Sequence, residues 1–258
     1  MLSESRKVLV LSSFLLLCGC STLQDENVPY GSRYESKEWK QQFDWLQEQD
    51  DTDFLLYVRR LDLAESRALA AIKKAKQFGK DDPRLARSLT SLGRIYLEKA
   101  EFEKSLEPLN EAYKIKLAKF GKKSADVADI LNEIAFAQIN IGHTKAARES
   151  LSGAVAIRKE IRDFYASIDS DLVEGLILEK EGDSKAATEK FESTIKQYQS
   201  RSNSTTGDLS NEQLSRMRIC FSKYLELRHD KSDEKELKEL DEKLAYLNDW
   251  FRILGQGS

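Results

Sequence analysis

Proline, cysteine and histidine are scarce in this 258-residue chain, and each scarcity removes a class of reading. Three prolines and twelve glycines leave few forced breaks, and with 33% charged residues the composition suits a mostly helical protein rather than a disordered one. The two histidines, His143 and His229, stand in a predicted turn and just past a predicted helix. Neither has a cysteine or carboxylate at metal-ligand spacing, so no metal and no cofactor is expected. No glycine-rich phosphate loop, Gly-x-Ser-x-Gly or His-Glu-x-x-His occurs. The acidic residues are spread as helix surfaces require, with no evident acid–base pair, so the chain does not read as an enzyme. A net charge of −3 gives no reason to expect a nucleic-acid partner.

The first residues form a unit of their own. Arg6 and Lys7 precede an apolar run of ten residues, Val8 to Leu17, which is too short to span a bilayer but suits a secretory signal. Leu17-Cys18-Gly19-Cys20 resembles the lipobox of bacterial lipoproteins. That resemblance implies cleavage before Cys20, acylation of Cys20 and stable membrane anchoring. Cys18 stands where the family usually has a small residue. An ordinary cleaved signal with coincidental cysteines is the alternative. By the same resemblance Ser21 points to the outer membrane, facing the periplasm, if the host has two membranes. Removal of residues 1–19 takes away Glu4, Arg6 and Lys7 and leaves a net charge of −4. It also leaves Cys220 as the single unmodified thiol, so no intrachain disulfide is expected. Cys220 falls in the helical pattern Leu214, Met217, Phe221, Leu225, as a partly buried structural thiol would.

Beyond a polar tether at 20–35, the chain repeats itself at a spacing of 42 residues. Phe78-Gly79 recurs as Phe120-Gly121, Leu89 as Leu131, Leu92-Gly93 as Ile134-Ala135, Leu109 as Leu151 and Ala112 as Ala154. Each unit reads as two helices joined by a short turn. One such hairpin cannot bury its own apolar face, so a fixed period of this length marks a stacked solenoid. The units run 82–123, 124–163 and 164–199, the last out of step by two residues and irregular because Asp171 and Glu174 occupy formerly apolar positions. A divergent leading repeat at 36–81 contains a helix with Trp39, Phe43 and Leu46 on one face. Asp50-Asp51-Thr52-Asp53 is expected to interrupt it and cap a second helix from about 53 to 77. Asp82 and Pro83 mark the start of the next helix, and Pro108 is odd inside one. A polar loop at 200–210 precedes a C-terminal helical hairpin at 211–258. Its last helix carries an apolar seam (Leu237, Leu240, Leu244, Leu247, Phe251, Leu254) that reads as a cap on the solenoid or as a homo-oligomer contact through 233–254.

The units resemble tetratricopeptide repeats, in the 42-residue variety of kinesin light chains. The match rests on Leu89, Leu92, Gly93, Tyr96, Ser105, Leu109 and Ala112 in the first unit, with Glu107-Pro108-Leu109 accounting for the proline. Leu131-Asn132-Glu133-Ile134-Ala135, Ala147, Leu151 and Ala154 carry it in the second. The resemblance implies an all-α, right-handed superhelical solenoid of antiparallel helix pairs, with C-terminal capping helices. Gly93, Ala135 and Gly175 would let helices approach closely while large residues fill the space between pairs.

In that family the first helix of each pair lines a concave groove that takes a peptide or a partner's helix. The residues so implied are Arg87, Thr90 and Arg94, then Asn132, Phe136, Ile139 and Asn140, then Leu172 and Leu176. Asn132 stands where relatives bond a peptide backbone. The arginines could pair with acidic groups, and Phe136 with Leu176 could form an apolar pocket. Solvated arginines and a Phe136 packed inside the solenoid are the plainer alternative. The function implied is a membrane-anchored interaction scaffold for a cell-envelope complex. A structural subunit of a permanent assembly is a second reading.

A third reading uses the lysines at the ends of the second helices, Lys73, Lys74, Lys76, Lys80, Lys114, Lys116, Lys119, Lys122 and Lys123, against an anionic lipid surface or envelope polymer. Solvated helix ends offset by the helix dipole explain the same residues. On that explanation mature, unlipidated protein binds anionic and neutral liposomes equally; stronger binding to the anionic ones would make the basic edge functional.

Overall fold

The computed structural model describes residues 36–162, 167–202, 211–228, 238–239, 241–246 and 248–249. The chain divides into two compact units, Met1–Phe43 and Asp44–Ser258. Nine helices are named here: α1 (Lys37–Tyr57), α2 (Leu61–Ala75), α3 (Pro83–Glu98), α4 (Phe102–Phe120), α5 (Ala125–Asn140), α6 (Thr144–Ile161), α7 (Ser167–Glu181), α8 (Ser184–Ser202) and α9 (Asn211–Arg228). No strand occurs among the described residues. In the first unit α1 begins with Ser36, whose hydroxyl accepts from the Trp39 amide at 3.1 Å, and Trp39 stacks on Phe43 at 5.2 Å.

The second unit is the expected all-α solenoid. From α2 onward each helix packs on the next, and the first helices of successive pairs, α3, α5 and α7, also touch in series. The close fit within a pair has one physical origin. A Cβ placed on Gly93 would lie 2.5 Å from the Leu109 side chain, and one on Gly175 would lie 2.6 Å from Phe191. Small residues on the first helix therefore admit a large one from the second. Leu109 and Phe191 are fully buried in these notches, each contributing about 2–3 kcal/mol of apolar burial. Alanines 64, 68, 71 and 75 give α2 a similarly small buried face.

The turn inside each pair repeats as closely as the packing. Arg59, Ala100, Gly142 and Gly182 all take left-handed φ, 59°, 57°, 83° and 87°. In each case the next residue's amide reaches back five positions: Arg60 to Leu55, Glu101 to Tyr96, His143 to Gln138 and Asp183 to Leu178, at 2.8–3.0 Å. These bonds satisfy carbonyls that the helix end leaves over. The same turn at Arg59 joins α1 to α2, in the stretch where the side-chain pattern is faint.

Two expectations need correcting. The run Asp50–Asp53 does not interrupt α1, which continues to Tyr57. Its polar residues find partners on α3 and within the helix. Gln49 donates to Ser91 of α3 at 2.9 Å and Arg87 of α3 donates to Asp53 at 2.8 Å. Inside α1, Gln49 donates to Asp53 at 2.9 Å and Thr52 to the Glu48 carbonyl at 2.7 Å. Consequently the second helix starts at Leu61 and ends at Ala75 in a 3-10 turn. Cys220 is fully buried rather than partly so.

Asp82 does cap α3, accepting from the Arg84 amide at 2.8 Å with Pro83 in the first turn. Burial would raise its carboxyl, but the bonds and charge of Arg84 outweigh that and hold it below the ordinary value. Asp171 and Glu174 face a cation, Lys190 of α8, at 3.2 and 2.7 Å. The seam at 233–254 lies outside the described residues except for parts of the helix, where Leu244 is partly buried against the core.

Two substitutions at small residues have opposite expected signs. Gly93→Ala should lower stability by about 1–2 kcal/mol, since overpacking against Leu109 exceeds the helix-propensity gain of about 1 kcal/mol. Ala100→Gly should raise it by about 0.5–1 kcal/mol by removing a Cβ from a left-handed turn. Urea unfolding followed by circular dichroism measures both.

Candidate functional site

The concave face is assembled from α1, α3, α5 and α7, and its seams are polar. Between α1 and α3 the Trp45 indole donates to the Ser88 hydroxyl at 2.9 Å, and Ser88 donates to Gln49 Oε1 at 2.8 Å. Between α3 and α5, Arg94 meets Glu133 at 2.6 Å. Between α5 and α7, Asn132 and Ser170 exchange hydrogen bonds of 2.9 and 3.1 Å. Buried polar groups satisfied in this way specify register, because any slip would leave them unpaired in a low-dielectric setting.

Two adjoining hollows open along this face. The larger, about 480 Å³, is walled by Asp53 and Tyr57 of α1, Arg87, Thr90, Arg94 and Glu98 of α3, Asp126 and Asp129 of α5, and Arg216 of α9. Its charges are mated across the helices. Arg87 pairs with Asp53 at 2.8 Å, both sides about half exposed, and Arg59 pairs with Glu98 at 2.6 Å. The smaller hollow, about 320 Å³, lies between Arg94, Asp129, Asn132, Glu133, Arg158, Asp169 and Arg216. Arg158, almost wholly buried, reaches Asp129 at 2.6 Å.

Of the residues the sequence nominated, Arg87, Thr90 and Arg94 line the larger hollow and Asn132 the smaller. Thr90 directs its hydroxyl to the Ala86 carbonyl at 2.8 Å. Asn132 spends its amide on Ser170. Asn140 is exposed and donates to the Phe136 carbonyl at 2.8 Å. Ile139, Leu172 and Leu176 are buried. Phe136 and Leu176 form no open apolar pocket. Phe136 is buried, its ring 6.0 Å from Phe102 in an edge-on contact, with the Arg216 guanidinium 3.9 Å above its centre.

Arg216 is the contributor that sequence reasoning missed. It lies outside the repeats, and α9 joins the concave face through contacts far apart in sequence. The Ser215 hydroxyl also donates to Glu98 of α3 at 3.2 Å. Beside them, burial and the nearby Arg59 push the Arg218 pKa down, with Glu98 opposing. Burial raises the Cys220 thiol well above its ordinary value, as it does the Tyr198 hydroxyl, which donates to Asp169 at 3.0 Å.

The lysine edge is partly engaged within the chain. Lys74 bonds Glu48 and the Asp44 carbonyl, Lys116 bonds Asp126 and Lys123 bonds Glu160, at 2.6–3.0 Å. Among the described residues there is no metal-binding cluster and no helix long and apolar enough to cross a membrane.

Comparison with known proteins agrees with this architecture. Residues 53–118 match the family model for the tetratricopeptide repeat. No curated protein matches the chain in sequence. Among solved structures the chain is similar to BtubC (BKLC) from P. vanneervenii, at 18% identity and a TM-score of 0.52 over 78% of each chain. It is also similar to two structures of a kinesin-light-chain-like protein of Podosopora anserina with nearly identical TPR-like repeats. One of them, a variant form, is 14% identical, with a TM-score of 0.52 over 87% of this chain and 99% of that one. The other is 15% identical, with a TM-score of 0.50 over 90% and 100%. At these identities the likeness is one of fold: this chain carries tetratricopeptide repeats in an α-solenoid.

The two arginine pairs of the larger hollow should differ in weight. Arg94→Met removes a cation from the buried Glu133 carboxylate and should cost about 1–3 kcal/mol. Arg87→Met breaks an exposed pair and should cost less than about 1 kcal/mol. Equal losses in chemical unfolding would contradict the burial argument.

Proposed function

We propose that this chain is a membrane-anchored lipoprotein whose repeat solenoid is a protein-interaction scaffold for assembling or regulating a cell-envelope complex. One observation carries the scaffold reading: the larger hollow is an open cleft on the concave face, where charged groups alternate with the exposed ring of Tyr57. A peptide laid there meets hydrogen-bonding side chains from α1, α3 and α5 at once, the usual basis of specific recognition on such surfaces. Nothing in the cleft resembles a reaction centre, which supports a non-enzymatic role. The anchoring rests on the lipobox resemblance around Cys20, outside the described residues. An outer-membrane position follows from Ser21 if the host has two membranes.

Two measurements test this. Labelled fatty acid should be incorporated into wild-type protein and into Cys18→Ser, and should be lost in Cys20→Ser. Affinity capture from gently cross-linked envelopes should recover a protein with the wild type and lose it with Arg87→Glu combined with Tyr57→Ala. Both positions are well exposed, so helicity should not change. Recovery that survives the double change would remove the cleft as the binding surface.

A further inference from the structure

The two halves of α9 are buried to different depths. Its rear half is part of the apolar core: Cys220, Phe221 and Tyr224 are buried to within 1%, and Lys223 pairs with Glu179 of α7 at 3.1 Å. Its front half lies on the concave face through the Ser215 bond to Glu98 and the Arg216 guanidinium over Phe136, with Leu214, Met217 and Ile219 only partly buried against the core. Ser215 and Arg216 are nonetheless 5% and 7% exposed, so this half closes part of the groove.

The seat fits a cation. Without α9, the smaller hollow holds three carboxylates, Asp129, Glu133 and Asp169, against two guanidinium groups, Arg94 and Arg158. Arg216 makes the count equal, and an aromatic face is a favourable floor for an arginine. Lifting the front half would break the Ser215 and Arg216 contacts and uncover three partly buried apolar side chains, while the buried residues of the rear half stay packed.

We propose that the groove's exchangeable partner is an amphipathic helix that carries an arginine onto Phe136, and that the front half of α9 occupies this seat until the partner displaces it. This rests on the reading of the concave face as the binding surface. The chain's own helix then lowers the partner's affinity by the fraction of time the seat is filled.

The probe is a fluorescein-labelled synthetic peptide with the sequence of residues 207–228. It is titrated by anisotropy into the full, unlipidated chain carrying Cys18→Ser and Cys20→Ser. With Arg216→Ala in the protein, its own front half is loosened, and the peptide should bind about tenfold more tightly than to the unchanged protein. The same peptide with Arg216→Ala should lose about tenfold or more of that affinity. Arg216→Lys in the protein keeps the charge but not the flat stacking group, so its affinity should fall between those of the unchanged protein and Arg216→Ala. Unchanged helicity by circular dichroism serves as the folding control. Peptide binding should speed amide exchange at 213–217 while the Cys220 thiol stays protected from a thiol reagent. Equal affinity for the unchanged protein and Arg216→Ala would overturn the exclusion. Absence of binding to every variant would overturn the helical partner, while capture sensitive to Arg87→Glu and Tyr57→Ala would still uphold the open cleft.

Discussion

The structure depends on how closely two helices of a pair can approach. Helix axes come within the short end of their usual range only where a backbone without a bulky side chain faces a large one. Gly93 against Leu109 and Gly175 against Phe191 meet that requirement. The left-handed turn at Arg59, Ala100, Gly142 and Gly182 reverses the chain in one manner each time. Fixed approach and fixed turn together make each pair a copy of the last. A concave face lined by α1, α3, α5 and α7 follows from stacking such copies.

What distinguishes this solenoid from a merely apolar stack is the chemistry of its inner seams. Trp45 with Ser88, Arg94 with Glu133 and Asn132 with Ser170 each cross from one repeat to the next. Apart from the part-exposed Arg94 the donors and acceptors are buried, so the gain of each bond is modest but the loss on misregistration is large. Beside them the ion pairs of Arg87 with Asp53, Arg59 with Glu98, Arg94 with Glu133 and Arg158 with Asp129 bring cations and anions to the groove wall. A surface built this way discriminates by placement of charge and hydrogen bonds more than by apolar area. The third repeat applies the device elsewhere, turning Asp171 and Glu174 toward Lys190 where its predecessors had apolar residues.

The period of 42 residues, the caps at Asp82 and Pro83 and the small-against-large positions are all local or repeated features, and sequence alone exposes such features. So the helices between 82 and 199 were legible in the chain itself, while Arg87, Thr90 and Arg94, which line the larger hollow, were nominated only by the family resemblance. The acidic run at 50–53 was misread because isolated propensity favours a cap there. The helix survives because Gln49 and Asp53 find partners on α3, 34 to 42 residues away.

By itself, then, the sequence determined the all-α class, the repeat length and the small-against-large positions, because these follow from periodicity and from side-chain size at fixed spacings. It also carried the N-terminal pattern around Cys20, which is a local sequence property. Tertiary structure decided the rest. It assigned Arg59 the turn that glycine takes elsewhere, committed Asn132 to Ser170, and set Arg216 over Phe136. These pairings depend on where helices distant in sequence come to lie, and α9 has no repeat period from which its position could be read. A non-repeating helix leaves its docking site to the packing of the whole chain, and here it lies on α8 and reaches the concave face through Ser215 and Arg216.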